Sequence, residues 1–173
     1  MIPVDQEFLH DPTNGINGDC LRACIASILE TSIENIPHFL RSGSAKDCNN
    51  ELNLFLAERG LFLLDVEYSG AKAILDANIL IGHACYHLIA GPSPRHKDLY
   101  HSVVGRNGDI IHDPHPSRDN LGGTHKDWVI SFFVSLYPNT WYNKDSNLVF
   151  PIGEINLVPE IQTIILNNPN TTC

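Results

Sequence analysis

The order of the sequence patterns predicts an α+β domain in which N-terminal helices pack on a C-terminal antiparallel sheet. In the first half, apolar residues recur with the helical period, most clearly over 20–30. In the second half, short apolar runs alternate with turn residues, at 85–90, 101–105, 109–112 and 128–136. Helices followed by strands is the arrangement typical of α+β domains, and 173 residues suit a single domain spanning 1–173.

Each helix of the first half has a recognisable start or stop. Asp19 is a favourable N-cap for the helix over 20–30, and Gly60 is a favourable stop for a later helix. The elements that follow the first helix are a helical turn, a helix, a strand and a short helix, predicted at 32–36, 50–59, 61–67 and 71–76. Residues 1–17 are predicted to form a loop, and 137–173 a C-terminal extension whose role is undefined.

The charge balance bears on partners and location. Eleven Lys and Arg against twenty Asp and Glu give a formal charge of −9, which argues against binding nucleic acid or an anionic membrane. The first residues lack the positive and apolar regions of a signal peptide, and no apolar run approaches the ~20 residues of a membrane helix. We therefore expect a cytoplasmic protein, with export by an unrecognised signal as the alternative.

Cys20 is the first candidate for chemistry, because it stands at the predicted start of a helix. Unpaired N–H groups and the helix dipole lower the pKa of a thiol there and favour the nucleophilic thiolate. The approach to Cys20 contains Gly15 and Gly18, which would let a substrate come close to the backbone. A buried structural cysteine is the competing interpretation.

A predicted hairpin supplies the matching base. The Asn107-Gly108 turn pairs 101–105 with 109–112, so His101 should lie across from residues near 114 and within reach of Asp113. A carboxylate beside an imidazole orients the ring and stabilises its charged form. The pattern thus predicts Cys20 as nucleophile, His101 as base and Asp113 as the orienting group.

These motifs resemble the papain-like cysteine peptidase superfamily, and within it the bacterial branch that includes the bacteriocin-processing peptidases. The resemblance rests on Gly18-Asp19-Cys20-Leu21-Arg22-Ala23-Cys24, then His101-Ser102-Val103-Val104, then Ile111-His112-Asp113-Pro114, in that order. It implies a papain-like fold and a thioester acyl-enzyme. It also implies an oxyanion donor before the cysteine, for which Asn14 is the first candidate and Asn17 the second; both could instead serve only the turn.

Residues adjoining the three reactive positions are expected to line the substrate-binding cleft: Gly18, Asp19, Ser102 and His115. Arg95 and Arg118 are interpreted as solvated turn residues, with steering of an acidic substrate group as the alternative.

The function predicted from these residues is a peptidase or amidase that acts on a peptide or amide-containing substrate, which could be another protein, and that needs no cofactor. Acyl transfer, deamidation and transglutaminase-like chemistry on the same three residues are the alternatives. A non-catalytic or metal-binding protein on the same fold is the second alternative. His83 and His87, or His112 and His115, could contribute to a metal site, but no HExxH or CxxC motif is present, so none is predicted.

Overall fold

A computed structural model describes residues 1–41, 45–76 and 85–136 of the chain. The helices are α1 (Cys20–Ile28), α2 (Ala45–Ala57) and α3 (Tyr68–Asp76), and two short 3-10 turns cover Ile33–Asn35 and His125–Asp127. The strands are β1 (Leu61–Glu67), β2 (Tyr86–Pro92), β3 (Tyr100–Arg106), β4 (Asp109–His112) and β5 (Val129–Ser135). Helices and an antiparallel sheet are both present, so the predicted α+β class is confirmed. The predicted extension over 137–173 lies outside the described residues.

All five strands join one antiparallel sheet in the order β1-β5-β2-β3-β4. Strand β5 is inserted between β1 and β2, where Phe132 pairs with Leu64 and Ile130 pairs with Ile89. Because β1 comes from the first half of the chain, the predicted division into N-terminal helices and C-terminal strands is incomplete.

The helices cover both faces of this sheet. Leu88 and Val104 contribute to the core formed with α1 and α2, whereas their neighbours Ile89 and Val103 contribute to the core formed with α3. Successive side chains of a strand point to opposite faces, so α3 packs on the face opposite α1 and α2. No helix in the three described ranges is long and apolar enough to cross a membrane.

The β3–β4 hairpin contains an irregularity that sets the position of Asp113. Gly105 pairs with Ile110, but Val104 pairs with His112, so Ile111 is an extra residue in β4. The register beyond this bulge is one residue away from that predicted by the turn. Asp113 follows the end of β4 directly, and its side chain crosses back to β3.

The N-terminal segment is a tethered strap and not a free loop. From Val4 to Phe8, every second backbone N–H donates to another part of the chain. Val4 donates to Ser27 Oγ at 2.9 Å, and Gln6 donates to the carbonyl of Pro114 at 3.1 Å. Phe8 then donates to a carboxylate oxygen of Asp19 at 2.9 Å. The segment therefore runs from the C-terminal end of α1, past the loop after β4, to the N-terminal end of α1.

Candidate active site

Cys20 is the first residue of α1 and is partly exposed in a surface pocket. Burial of the sulfur would raise the pKa of the thiol, but a hydrogen bond and the charge of His101 lower it. The backbone N–H groups of Ser102 and Leu21 lower it further, and the net result is a Cys20 pKa below its ordinary value. The first turn of the helix and the imidazole together therefore favour a thiolate.

His101 lies between Cys20 and Asp113. Its Nε2 is 2.7 Å from Asp113 Oδ1, and the ring is only 5% exposed. Since Nε2 is engaged with the carboxylate, the ring leaves Nδ1 for its hydrogen bond with the Cys20 sulfur. Burial lowers the pKa of His101, but the hydrogen bonds with Asp113 and Cys20 outweigh it and raise the pKa to about 9.

Asp113 is held as a carboxylate by several donors at once. Besides the His101 ring, its oxygens accept backbone N–H groups from His115 at 2.9 Å and from Asn120 at 2.8 Å. Burial would raise the pKa of Asp113, but these bonds, that from His101 foremost, lower it to about 2. Arg118 also donates to the Asp113 carbonyl, which fixes the backbone at this position. The carboxylate is therefore charged throughout the neutral range.

Cys20, His101 and Asp113 thus come together as the sequence predicted, from a helix and a hairpin far apart along the chain. No protein-family model, curated protein or solved structure matches this chain. The resemblance to papain-like enzymes therefore stays a prediction from the sequence motifs.

The two asparagines predicted as oxyanion donors have other partners. Asn14 lies in an exposed turn closed by the pairing of Asp11 with Ile16, and its Nδ2 donates to Asp11 Oδ2 at 2.5 Å. It does not line the Cys20 pocket. Asn17 does line this pocket, but its Nδ2 donates to the carbonyl of Leu40 at 2.8 Å. Asn14 therefore belongs to the turn, and Asn17 holds a neighbouring loop against the pocket.

Among the predicted lining residues, Gly18, Ser102 and His115 border the pocket, whereas Asp19 does not. Asp19 is 3% exposed, and its two oxygens accept from the Phe8 N–H and from Arg22. Its carboxylate therefore anchors the N-terminal strap to α1, a structural role that differs from the predicted one.

Ser102 and His115 each contact a residue next to the reactive groups. The Ser102 carbonyl is 3.3 Å from the Cys24 sulfur, one helical turn below Cys20. The His115 ring stands edge-on to that of His101 at 6.3 Å. Its Nδ1 accepts the Ser117 N–H at 3.1 Å, while burial and the charges of Arg95 and His101 lower its pKa. His115 is therefore a neutral wall of the pocket.

Gln6 is a pocket residue with a partly free side-chain amide that was not predicted from the sequence. Its Nε2 donates to the carbonyl of Phe8 at 2.7 Å and lies 3.6 Å from the point where a Cβ on Gly18 would stand. Its Oε1 is buried with no partner among the described residues. Sequence proximity favoured Asn14 and Asn17, whereas Gln6 lies further upstream and reaches the pocket only because the strap folds back on α1.

The histidines considered for a metal site serve other contacts. His87 is fully buried and packs against Phe132, and its Nε2 accepts the Gly108 N–H at 3.0 Å. His112 Nε2 donates to the Val4 carbonyl at 2.9 Å. His83 lies outside the described residues. Within the described ranges, no group of three or more His, Cys, Asp or Glu residues could hold a metal ion.

Proposed function

We propose that this chain is a papain-like cysteine hydrolase, a peptidase or amidase, in which Cys20, His101 and Asp113 act as a catalytic triad. The observation that carries the proposal is the position of His101, which is hydrogen-bonded to both a buried carboxylate and a helix-end sulfur. The lowered pKa of Cys20 and the raised pKa of His101 favour a thiolate–imidazolium pair at neutral pH. Such pairs are the activated nucleophiles of cysteine enzymes.

The mechanism follows from this pair. The Cys20 thiolate attacks the carbonyl carbon of an amide, and the carbonyl π electrons move to oxygen to give a tetrahedral oxyanion. The His101 imidazolium donates its Nδ1 proton to the leaving amine as the C–N bond breaks, which leaves a thioester on Cys20. His101, now neutral, removes a proton from water, the hydroxide attacks the thioester, and the acid product leaves as the thiolate re-forms. Asp113 holds the ring in the required tautomer throughout.

Gln6 and the Cys20 backbone N–H are the proposed oxyanion donors. The Cys20 N–H belongs to the first turn of α1, whose N–H groups have no partner inside the helix. Gln6 Nε2 uses one hydrogen on Phe8 and retains a second. Preorganised donors of this kind typically contribute about 10²–10³ in rate.

The same thioester serves acyltransferases, deamidases and transglutaminase-like enzymes, which remain the alternative proposal; these classes differ in the acyl donor and in the group that accepts the acyl. A binding protein without activity is the other alternative. It would leave the ionisation of Cys20 and His101 without a use.

The proposal is tested by acylating the protein with p-nitrophenyl acetate. We expect a burst of p-nitrophenolate equal to the protein concentration, and mass spectrometry should find the acetyl group on Cys20. Cys20→Ala should abolish the burst, whereas Cys85→Ala, at a partly exposed thiol whose pKa is raised by burial, should leave it unchanged. A burst that persists in Cys20→Ala would refute the mechanism.

The partition of the acyl-enzyme distinguishes hydrolysis from transfer. Steady turnover in water that is insensitive to added glycinamide indicates a hydrolase. Turnover that rises with the amine and yields the acetylated amide indicates an acyltransferase.

A further inference from the structure

The pocket around Cys20 has a charge pattern opposite to that of the whole chain. The chain carries a formal charge of −9, yet none of the residues that line this pocket is Asp or Glu. Its basic and imidazole side chains are His10, Arg95, His96, His101 and His115. A wall of this kind favours an anionic substrate group over a neutral one.

Arg95 is the one permanent cation of that wall, and its guanidinium is only partly used. The side chain is 15% exposed, and its Nη1 donates to Ser117 Oγ at 3.0 Å. The nearest carboxylates, Asp113 and Asp119, also approach Nη1, at 3.8 and 3.6 Å. Among the described residues, Nε and Nη2 have no hydrogen-bond partner. These two nitrogens form the edge of the guanidinium that binds a carboxylate in a bidentate manner.

Ser93 offers a further donor in the same pocket. Its Oγ accepts the backbone N–H groups of Arg95 and His96, each at 3.2 Å. The hydroxyl hydrogen of Ser93 is therefore not used in these bonds and remains free to be donated. Ser93 also lines the pocket together with Cys20 and His101.

We propose that Arg95, assisted by Ser93, is a specificity-determining residue that binds a carboxylate of the substrate next to the carbonyl attacked by Cys20. This inference rests on the proposed function, because it takes Cys20 as the reacting atom. The carboxylate belongs to an acidic side chain or to a free peptide C-terminus. Both sources present the same planar anion to the guanidinium.

Arg118 provides a useful contrast. It lies in a separate groove, where it pairs with Asp5 at 2.7 Å, and it does not border the Cys20 pocket. Of the two arginines that the sequence marked for steering a substrate, only Arg95 is therefore in position to do so.

The experiment compares two alkylating reagents of matched size on the full chain. Iodoacetate carries a carboxylate and iodoacetamide does not, so the ratio of their second-order rates with Cys20 measures the attraction of the pocket for an anion. We expect Arg95→Gln to lower this ratio about tenfold, since one charge within a few ångströms is lost from a partly buried site. Arg95→Lys should retain much of the ratio, and raised salt should compress the difference between the variants.

Two features of the design separate specificity from indirect effects. The iodoacetamide rate serves as an internal reference. If the Arg95 variant disturbs Asp113 or His101 and so changes the fraction of Cys20 thiolate, the rates of both reagents change by the same factor. Arg106→Gln is the matched control: it removes the same charge at the far end of β3, roughly 17 Å from His101 at about 3.4 Å per residue.

The source of the carboxylate is then identified with N-acetylated peptides, by measuring how far each peptide slows the alkylation of Cys20 by iodoacetamide. A Glu-containing peptide is compared with its Gln counterpart, and a free C-terminus with an amidated one. Protection by the Glu peptide but not the Gln peptide indicates an acidic side chain, and protection by the free C-terminus but not the amide indicates a C-terminal carboxylate. Protection by neither overturns the assignment of a peptide carboxylate to Arg95.

The failures are distinguishable. A Cys20 that reacts with neither reagent faster than a free thiol overturns the proposed function. A reactive Cys20 whose reagent ratio is the same in wild type and Arg95→Gln overturns only the role of Arg95.

Discussion

The ionisation of Cys20 should depend on the charge of Asp113, and Asp113→Asn tests this directly. The rise of the His101 pKa from 6.5 to about 9 corresponds to about 3 kcal/mol at ~1.4 kcal/mol per pKa unit. The ring is 5% exposed, so solvent screening takes little from this figure. Asp113 and Cys20 both contribute to the rise. Loss of the Asp113 charge should therefore remove a substantial part of the free energy that stabilises the thiolate–imidazolium pair.

The assay is the pH dependence of Cys20 alkylation by iodoacetamide. In wild type, Cys20 should already be a thiolate at pH values below the ordinary pKa of a cysteine. The thiolate should form an ion pair with the His101 imidazolium until the ring deprotonates near its pKa of about 9. In Asp113→Asn the Cys20 pKa should move up. The rate of alkylation near about pH 6 should then fall by between about tenfold and a few hundredfold, the upper limit being about the full shift of the His101 pKa.

Alkylation at about pH 10, where any accessible thiol is ionised, provides the control for an intact site. The two proteins should agree there within about twofold. Equal rates near pH 6 as well, with the fold verified by circular dichroism, would refute the coupling of Asp113 to Cys20 through His101.

Three further predictions follow from particular contacts. Gln6→Ala should lower the acylation rate about 10²–10³-fold, whereas Asn14→Ala should change it little; the reverse order in a stopped-flow burst would restore the oxyanion role to Asn14. Gly105→Ala should cost about 1–3 kcal/mol in urea unfolding, because an added Cβ would stand 2.2 Å from His87 Cε1; an unchanged midpoint would contradict this clash. Asp19→Ala should cost about 1–3 kcal/mol by the same measurement, because it removes the acceptor of the Phe8 N–H and one of the two carboxylates paired with Arg22, which keeps Glu7 at 2.7 Å; an unchanged midpoint would show that the Asp19 contacts are dispensable.

The elements that were predictable from sequence are those with strong local signals. Strands β1 and β4 begin and end where the apolar runs and turn residues placed them. Helix α1 starts directly after Asp19 as predicted, but the Asp19 side chain accepts from Phe8 and Arg22 and makes no capping hydrogen bond. Helix α2 begins at Ala45, five residues before the expected start, because its first turns are polar and carry no apolar period. The placement of β5 between β1 and β2 depends on non-local pairing, which no local pattern specifies.

In the candidate site as well, the residues placed by a local turn were predictable and those placed by tertiary contacts were not. His101 and Asp113 were predictable because one hairpin turn brings them together, and an error of one residue in register still left the carboxylate within reach of the ring. Gln6 was not predictable, because its position depends on backbone bonds from the strap to Pro114 and Asp19. For Arg95 the sequence indicated only a positive charge in a turn. The free edge of its guanidinium depends on tertiary packing.

The extra residue in β4 has a consequence for recognising other chains of this kind. Because the bulge at Ile111 sets how far the chain must travel before the carboxylate reaches the ring, the separation of twelve positions between His101 and Asp113 is a geometric requirement. The connecting residues are constrained as well, because Asn107 and Gly108 have positive φ angles and a Cβ at Gly105 would meet the His87 ring. A histidine followed at that interval by Asp-Pro, downstream of a cysteine that opens a helix, is therefore the pattern that would mark this arrangement in another sequence.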